Sequence, residues 1–292
     1  MTVRIGTRGS DLALWQANHV SDLLRSIGLE PEIHIIKTKG DQIQHLGFDK
    51  MEGKGFFTKE IEEALLTGKV DLAVHSHKDL ETTQPHGLTI AAVPERSFVE
   101  DTLLIRKECV DATASFQLKE NAIIGTSSAR RKAQLTHHIP SATINDLRGN
   151  VPTRINKLRD GNYDAIVLAK AGMARLELDL SDLHVVDMDP TIFVPAPAQG
   201  ALALQTREGD PIAAEIAKLN HPSKGCVTIE RSVLRSLGGG CQIAFGAFCQ
   251  EKAEGYVLHT MYQPTSSAPV AFQKWEGPNG DDLVAKAIKN LK

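Results

Sequence analysis

The sequence predicts an α/β protein made of two similar lobes followed by a small α+β carboxyl-terminal domain. Short strand-like runs alternate with amphipathic helices along the first two-thirds of the 292 residues, which is typical of mostly parallel sheets. Two short sequence patterns recur at strand ends in this region. Beyond a Pro-rich segment at 194–197, three closely spaced strand patterns predict a separate, smaller sheet.

The elements of the first lobe follow one another as strands separated by helices. Ser10 precedes an apolar-periodic run that stops at Gly28, so we expect a helix capped by Ser10. Gly40–Gly55 combines glycines with mixed charges and predicts a long, mobile loop. The predicted elements are, in order, strand Val3–Thr7, helix 10–28, strand Ile33–Lys37, helix Thr58–Thr67 and strand Val70–His75.

The recurring patterns favour a second lobe of the same architecture. Ile5-Gly6-Thr7 returns as Ile124-Gly125-Thr126, and Gly68–Val74 is similar to Gly161–Val167. Such internal similarity indicates duplication, whereas chance similarity between strand ends is the alternative. The later predicted elements are strands Ala122–Gly125, Ala142–Asp146 and Ala165–Ala169, helices 211–219 and 223–237, strands 243–249, 255–262 and 268–275, and helix 281–291.

Composition excludes several classes of function. A net charge of −3 and an aromatic content of 5% argue against a basic or base-stacking nucleic-acid binder. No apolar run approaches the ~18 residues of a membrane span. The amino terminus enters a strand pattern without an apolar signal segment, and the 4 cysteines form no CxxC pair or zinc spacing. We therefore expect a cytoplasmic protein with reduced thiols, no metal, no membrane and no nucleic-acid partner.

The segment His75-Ser76-His77-Lys78-Asp79 follows a predicted strand directly. Ligands of open α/β sheets bind outside the carboxyl ends of strands, so these polar side chains are candidates for a site. Two alternatives stay open. Asp79 could cap the next segment, and the two histidines could bind a metal, although no third ligand follows at a suitable spacing.

Basic residues occupy several predicted strand-to-helix junctions. Helix amino termini already favour anions, and arginine adds a planar donor fork for carboxylate or phosphate. Because no nucleotide-binding glycine motif is present, we expect a different polyanion in one cleft. The junction residues are Arg8, then Thr126–Arg131, then Arg148 with Arg154, and finally Lys170 with Arg175.

Cys241 follows Gly238, Gly239 and Gly240 at the predicted end of a helix. Three glycines leave the backbone open to close approach by a ligand, so Cys241 is a candidate nucleophile. The alternative is a small core residue, which is the commoner use of a cysteine thiol.

These motifs together resemble the porphobilinogen deaminase (hydroxymethylbilane synthase) family over most of the chain. The resemblance implies three domains, of which the first two are lobes like those of periplasmic binding proteins. Domain 1 (lobe 1) would comprise residues 1–95 and 199–217, domain 2 (lobe 2) residues 96–198, and domain 3, which carries the cofactor cysteine, residues 218–292. The matching segments are Arg8–Ala17, Lys39–Asp41, Gly53–Glu60, His75–Asp79, Gly125–Arg131, Leu147–Val151, Ala171–Leu176, Gln199–Ala201 and Gly239–Gln242.

The resemblance also implies an activity, namely condensation of four porphobilinogen molecules into a linear tetrapyrrole with loss of ammonia. A dipyrromethane cofactor attached to Cys241 would prime the reaction, in a monomer, with Asp79 as the catalytic carboxylate. The residues implied to bind the cofactor are Ser76, Lys78, Asp79, Thr126, Ser128, Arg130 and Arg131. Those implied to bind substrate are Arg8, Gln16, Arg148, Arg154, Arg175 and Gln199, with Lys50, Lys54 and Phe57 on an active-site loop.

Some positions depart from the family pattern. They are Leu80-Glu81 after the Lys-Asp pair, Pro197-Ala198 in place of Val-Gly, Gln205 in place of Glu, and Gly238 in place of an acidic residue. None removes a group assigned to the chemistry. The alternative function is a non-catalytic small-anion binding protein with the same two lobes, which leaves Cys241 and Asp79 unexplained.

Overall fold

The computed structural model describes residues 1–38, 58–239 and 243–291. Within these ranges the strands are β1 (Thr2–Thr7), β2 (Glu30–Ile35), β3 (Leu72–Ser76), β4 (Leu88–Ala92), β5 (Asp101–Arg106), β6 (Ile123–Gly125), β7 (Thr143–Asn145), β8 (Ala165–Ala169), β9 (Leu183–Asp187), β10 (Leu202–Arg207), β11 (Ala244–Lys252), β12 (Gly255–Gln263) and β13 (Ala271–Gly277). The α-helices are α1 (Asp11–Ser26), α2 (Lys59–Leu66), α3 (Ala129–His138), α4 (Val151–Arg159), α5 (Lys170–Arg175), α6 (Ile212–Ile216), α7 (Lys224–Ser236) and α8 (Gly280–Leu291).

The chain divides into two compact units, each built from two stretches of sequence. Unit 1 comprises residues 1–97 and 201–224, and unit 2 comprises 98–200 and 225–292. Unit 1 corresponds closely to the predicted domain 1. Unit 2 combines the predicted domain 2 with most of the predicted domain 3. That domain 3 is a separate domain stays a prediction.

Unit 1 is an α/β structure built on one five-stranded sheet, whose strand order is β2-β1-β3-β10-β4. Strand β1 pairs in parallel with β2 and β3, whereas β10 runs antiparallel to both of its neighbours. The predicted Ser10 cap is confirmed, because its hydroxyl accepts a hydrogen bond from the Ala13 amide. Helix α1 buries Val20 and Leu24 against the sheet, as its apolar spacing requires.

Unit 2 contains a second five-stranded sheet in the order β7-β6-β8-β5-β9. Here β6 pairs in parallel with β7 and β8, and β5 is the antiparallel fourth strand. The two sheets therefore have the same plan, with β6 equivalent to β1 and β8 equivalent to β3. The recurring patterns lie on these equivalent strands, which confirms the expectation of two similar lobes.

The carboxyl-terminal part of unit 2 is an antiparallel sheet, β11-β12-β13, with α7 and α8 packed on it. Its first strand lies against the 194–195 backbone, since the Ala247 amide donates to the Pro195 carbonyl over 3.0 Å. Gly246 is required at this contact, because an added Cβ would lie 2.7 Å from the Val194 carbonyl oxygen. The α/β fold with a small α+β region at the carboxyl end is thus confirmed.

Several boundaries and elements differ from the prediction. The second strand begins and ends earlier than predicted, at Glu30–Ile35, and strands β4, β5, β9 and β10 had no sequence prediction. The predicted loop Gly40–Gly55 lies outside the described residues. No helix in the described ranges is long and apolar enough to cross a membrane.

Candidate active site

In unit 1, the predicted site residues lie at the carboxyl ends of the adjacent parallel strands β1 and β3. Arg8 follows β1, and Ser76 is the last residue of β3. The buried Gln16 of α1 donates its side-chain amide to the Ser76 hydroxyl over 2.8 Å. The structure thus brings Gln16 and Ser76 into direct contact at the sheet edge.

Lys78 and Asp79 lie in a short 3₁₀ turn, His77–Asp79, that follows β3 directly. The turn is fixed on both sides, because the His77 amide donates to the Ala201 carbonyl and the side chain of Leu80 is buried. Asp79 is exposed at the end of this turn. No helix begins between 80 and 87, so Asp79 does not act as a helix cap.

A buried polar network lies on the other face of β3. The Nε2 atom of His75 is 3.1 Å from Gln205 Oε1, and the Gln205 amide donates to Glu62 and Gln84. Burial lowers the pKa of His75 to about 4, and the contact with Gln205 only partly offsets this. His75 is therefore neutral at neutral pH. Among the described residues, no group of three or more His, Cys, Asp and Glu side chains could hold a metal.

In unit 2, the first basic junction joins β6 to α3. Ser128 is the N-cap of α3, and its hydroxyl accepts from the Arg131 amide over 3.4 Å. The Thr126 hydroxyl accepts from the Ser128 amide over 3.3 Å and is itself buried. Thr126, Ser128, Arg130 and Arg131 therefore form one compact group at the positive end of a helix.

Arg130 and Arg131 are both buried, and both bind the carboxylate of Asp101. Arg130 Nη1 lies 2.7 Å from Oδ2, and Arg131 Nη2 lies 2.6 Å from Oδ1. Burial alone would raise the pKa of Asp101, but the two guanidinium groups lower it well below its usual range. Gln199 completes the cluster by donating to Oδ1 over 3.0 Å. These four side chains are held in one fixed arrangement.

The second junction joins β7 to α4 and is more open. Asn150 caps α4 by accepting from the Thr153 amide over 2.9 Å. Gly149 precedes it with φ +120°, and an added Cβ would lie 2.7 Å from Thr153 Cγ2, so glycine is needed. Arg148 is partly exposed, and Arg154 Nε donates to the Gly149 carbonyl over 2.7 Å.

The third junction joins β8 to α5. Arg175 is buried, with Nη2 donating to the Gly200 carbonyl over 2.8 Å. Burial lowers its pKa to about 10, so the side chain stays protonated at neutral pH. Lys170 instead binds Asp187 over 2.6 Å and lies 3.6 Å from Glu100. With two carboxylate partners, Lys170 is less suited to a ligand anion than the junction pattern predicted.

Cys241 and the loop residues Lys50, Lys54 and Phe57 lie outside the described residues, and their roles stay predictions. The other cysteines are poor nucleophiles. Burial and a hydrogen bond to Asp164 raise the pKa of Cys109 to about 11, and Cys226 and Cys249 are buried in the core of the third sheet.

Sequence reasoning missed the carboxylate that organises the arginine pair. Asp101 is the first residue of a strand that had no sequence prediction, so nothing indicated that it faces Arg130 and Arg131. It also missed Glu230, which is fully buried and accepts from the amides of Ala198 and Cys249. No sequence signal marked either carboxylate, since each stands beside another charged residue, Glu100 or Arg231.

The fold and these side chains define a class of protein, namely an α/β protein with two similar five-stranded sheets whose strand ends carry cations and hydroxyls suited to a carboxylate-rich ligand. The family model described as "Porphobilinogen deaminase, dipyromethane cofactor binding domain" matches residues 3–215. The chain therefore belongs to the porphobilinogen deaminase family.

Relatives named porphobilinogen deaminase cover most of the chain and most of their own length. The protein of Nitratiruptor sp. is 45% identical over 84% of this chain and 78% of its own. That of Maridesulfovibrio salexigens is 42% identical over 96% and 90%, and that of Streptococcus sanguinis 36% over 99% and 95%. A solved ancestral cationic amino acid solute binding protein shares 17% identity over 76% of this chain and 90% of its own, with a TM-score of 0.45, too low to support an argument.

Proposed function

We propose that this chain condenses four porphobilinogen molecules stepwise into the linear tetrapyrrole hydroxymethylbilane, releasing one ammonia for each, as a transferase primed by dipyrromethane. The observation that carries the proposal is the set of cationic and hydroxyl side chains at strand ends of a member of this family. Each porphobilinogen unit carries an acetate and a propionate, so primer and product are polycarboxylates that such side chains bind.

The residues present fit the cofactor. Thr126 and Ser128 offer hydroxyls, and Arg130 and Arg131 offer guanidinium groups, within one junction of unit 2. Ser76 and Lys78 offer the same chemistry at the end of β3. Each well-made hydrogen bond to a charged group contributes about 1.5–3 kcal/mol. These side chains would hold the cofactor carboxylates, and Cys241 would hold it covalently. When bound, dipyrromethane supplies a terminal pyrrole carbon as the nucleophile.

The remaining basic junctions would bind the incoming ring and the growing chain. Arg148 and Arg154 are partly exposed on unit 2, and Arg8 is partly exposed on unit 1. Arg175 keeps its charge despite burial, because its pKa of about 10 lies well above neutral pH. Gln16 and Gln199 would act mainly by orientation, since the first bonds to Ser76 and the second to Asp101.

Asp79 would carry the acid–base step. Loss of ammonia from porphobilinogen creates a cation delocalised over the pyrrole nitrogen, and a fixed carboxylate beside it stabilises this charge. The same carboxylate can accept the proton that the attacking terminal ring loses from the carbon that forms the new bond. The exposure of Asp79 on a turn held by His77 and Leu80 suits both roles, because the group is accessible while its backbone is fixed.

Intact mass spectrometry tests the proposal directly. The purified protein should exceed its sequence mass by two porphobilinogen units less two ammonia, and it should give a colour with Ehrlich's reagent. Cys241→Ser should lose the adduct, the colour and the activity, because a serine hydroxyl is barely ionised at neutral pH. Cys109→Ser is the matched control and should keep all three. An adduct that survives in Cys241→Ser, or that maps to another cysteine, would contradict the assignment.

The alternative function, non-catalytic binding of small anions, predicts no covalent pigment. The family match favours the enzyme over this alternative. We further propose that the protein is cytoplasmic, which fits the free thiols of Cys109, Cys226 and Cys249, and that it is a monomer, as the resemblance implies. Size-exclusion chromatography with light scattering, and fractionation of the source cells, test these two points.

A further inference from the structure

We propose that Asp101 is a positioning residue of the cofactor site, which holds Arg130 and Arg131 side by side so that together they accept one ligand carboxylate. This inference rests on the proposed function, because it assigns the arginine pair to the dipyrromethane cofactor. Asp101 itself would not touch the cofactor.

The first support is the geometry of the carboxylate. Asp101 is fully buried, and each of its oxygens binds a different arginine, at 2.7 Å for Arg130 and 2.6 Å for Arg131. Arg131 Nε adds a third contact at 3.2 Å, and Gln199 donates to the same oxygen, Oδ1. One side chain therefore sets the separation and orientation of two guanidinium groups.

The second support is that the guanidinium groups are also anchored by backbone carbonyls. Arg130 donates to the Val194 carbonyl over 2.7 Å, and Arg131 donates to the Val167 carbonyl over 3.0 Å. Gln134 fixes the first carbonyl by donating to it and accepting from the Val194 amide. Since Asp101 and these carbonyls contact the same groups, the rotamers of both arginines are set before any ligand arrives.

The third support is the charge of the cluster. Two guanidinium groups and one carboxylate give a net charge of +1 at a buried position, which favours the approach of one more anion. Without the carboxylate, two adjacent cations would repel each other and require two anions. Burying such a triad is weak evidence for stability by itself, because apolar side chains often replace it without loss. Its fit to a carboxylate ligand supplies a reason for placing it at this junction.

The experiment compares Asp101→Asn with a matched control, Asp182→Asn. The control removes an exposed carboxylate that pairs with Arg159 in the same unit. Both are made in the wild-type chain and in Cys241→Ser, whose cofactor-free state removes any effect of occupancy on stability. Three quantities are measured: the covalent adduct by intact mass, the Tm without added anion, and the rise in Tm with inorganic sulfate. Sulfate serves as a probe for unbalanced positive charge.

In the wild-type chain we expect Asp101→Asn to lose adduct by tenfold or more, about the effect of one charged hydrogen bond. In the cofactor-free chain, Asp101→Asn should lower the Tm. Sulfate should then raise the Tm of this variant by more than it raises the Tm of Cys241→Ser alone. Asp182→Asn should match its parent in all three quantities. Asp101→Glu, which keeps the carboxylate, should recover part of the adduct.

Equal adduct and equal sulfate response in Asp101→Asn and Asp182→Asn would overturn the inference. An adduct missing from the wild-type chain would instead overturn the proposed function, while the sulfate comparison would still decide the role of Asp101. If Asp101→Asn does not fold, Asp101→Asn combined with Arg131→Leu removes one cation together with the anion. Folding of this double variant supports the inference, and failure of it to fold overturns it.

Discussion

Arg131→Leu and Arg148→Leu should fail in different ways, although each removes one cation from the same unit. Arg131 is buried, and its Nη2 atom lies 2.6 Å from Asp101 Oδ1. Arg148 Nη2 lies 3.9 Å from Asp146 Oδ2, and 35% of the Arg148 side chain is exposed. Removing one partner of a buried ion pair costs about 3–5 kcal/mol. Because Arg130 still binds Asp101 in Arg131→Leu, we expect about 3 kcal/mol, the lower end. An exposed pair contributes about 0–1 kcal/mol, so Arg148→Leu should unfold nearly as its parent does.

The measurement uses urea unfolding in the Cys241→Ser background, where bound cofactor cannot stabilise the native state. The chain has 2 tryptophans, Trp15 in unit 1 and Trp275 in unit 2, so Trp15→Phe leaves a fluorescence signal from unit 2 alone. In the wild-type background, Arg131→Leu should accumulate apoprotein, whereas Arg148→Leu should carry the adduct and elongate poorly. Equal unfolding midpoints together with equal adduct in the two variants would refute the division between cofactor and substrate residues.

Three further perturbations have defined outcomes. Asp79→Asn should unfold like the wild type yet turn over at least ~10²-fold more slowly, and near-normal tetrapyrrole production would rule out its catalytic role. Arg4 holds the pKa of Asp71 at about 2, so this carboxylate stabilises unit 1 above pH ~4 by up to about 2 kcal/mol and loses that contribution as the pH falls towards 2. Urea midpoints of Asp71→Asn and wild type should therefore converge in acid, and a gap independent of pH would contradict this. Ala198 has φ +63°, where glycine is favoured, so Ala198→Gly should raise the free energy of unfolding by up to about 1 kcal/mol, and a clear loss would show that this backbone is not strained.

The sequence predicted those parts of the fold that depend on local signals. The Ser10 cap, the helix that follows it and the strand ends at Thr7 and Gly125 all rest on residues close together in the chain, and the structure confirms them. The strands β5 and β10 were missed although both are buried. The chain passes into unit 2 through β5 and returns to unit 1 through β10, and both strands are antiparallel to their neighbours. The place of each between two other strands depends on pairing with distant segments. Local propensity carries no such information.

The candidate site divides in the same way. The junction arginines were predicted because basic residues after a strand and before a helix form a local pattern. Their partners were not, since Asp101 is 30 residues from Arg131 and Gln205 is 130 residues from His75. Which arginine is buried and paired, and which is open to solvent, therefore required the structure.

The shared plan of the two sheets explains why Asp101 lies where it does. In each sheet the fourth strand runs antiparallel, so its first residue lies at the edge where the parallel strands end. The register places Asp101 beside Ala169, the last residue of β8, and Leu202 beside Ser76, the last residue of β3. These two positions are equivalent, yet only unit 2 has a carboxylate there.

This difference fits the distinct roles proposed for the two strand-end groups. In unit 2 the carboxylate is buried and already bound by two guanidinium groups, so it can position cations but cannot exchange protons in the neutral range. In unit 1 the equivalent position is apolar, and the exposed Asp79 lies three residues beyond the neighbouring strand β3. In the proposed function, the carboxylate at this register position of unit 2 orients cations, whereas unit 1 supplies its catalytic carboxylate, Asp79, from the turn beyond the strand.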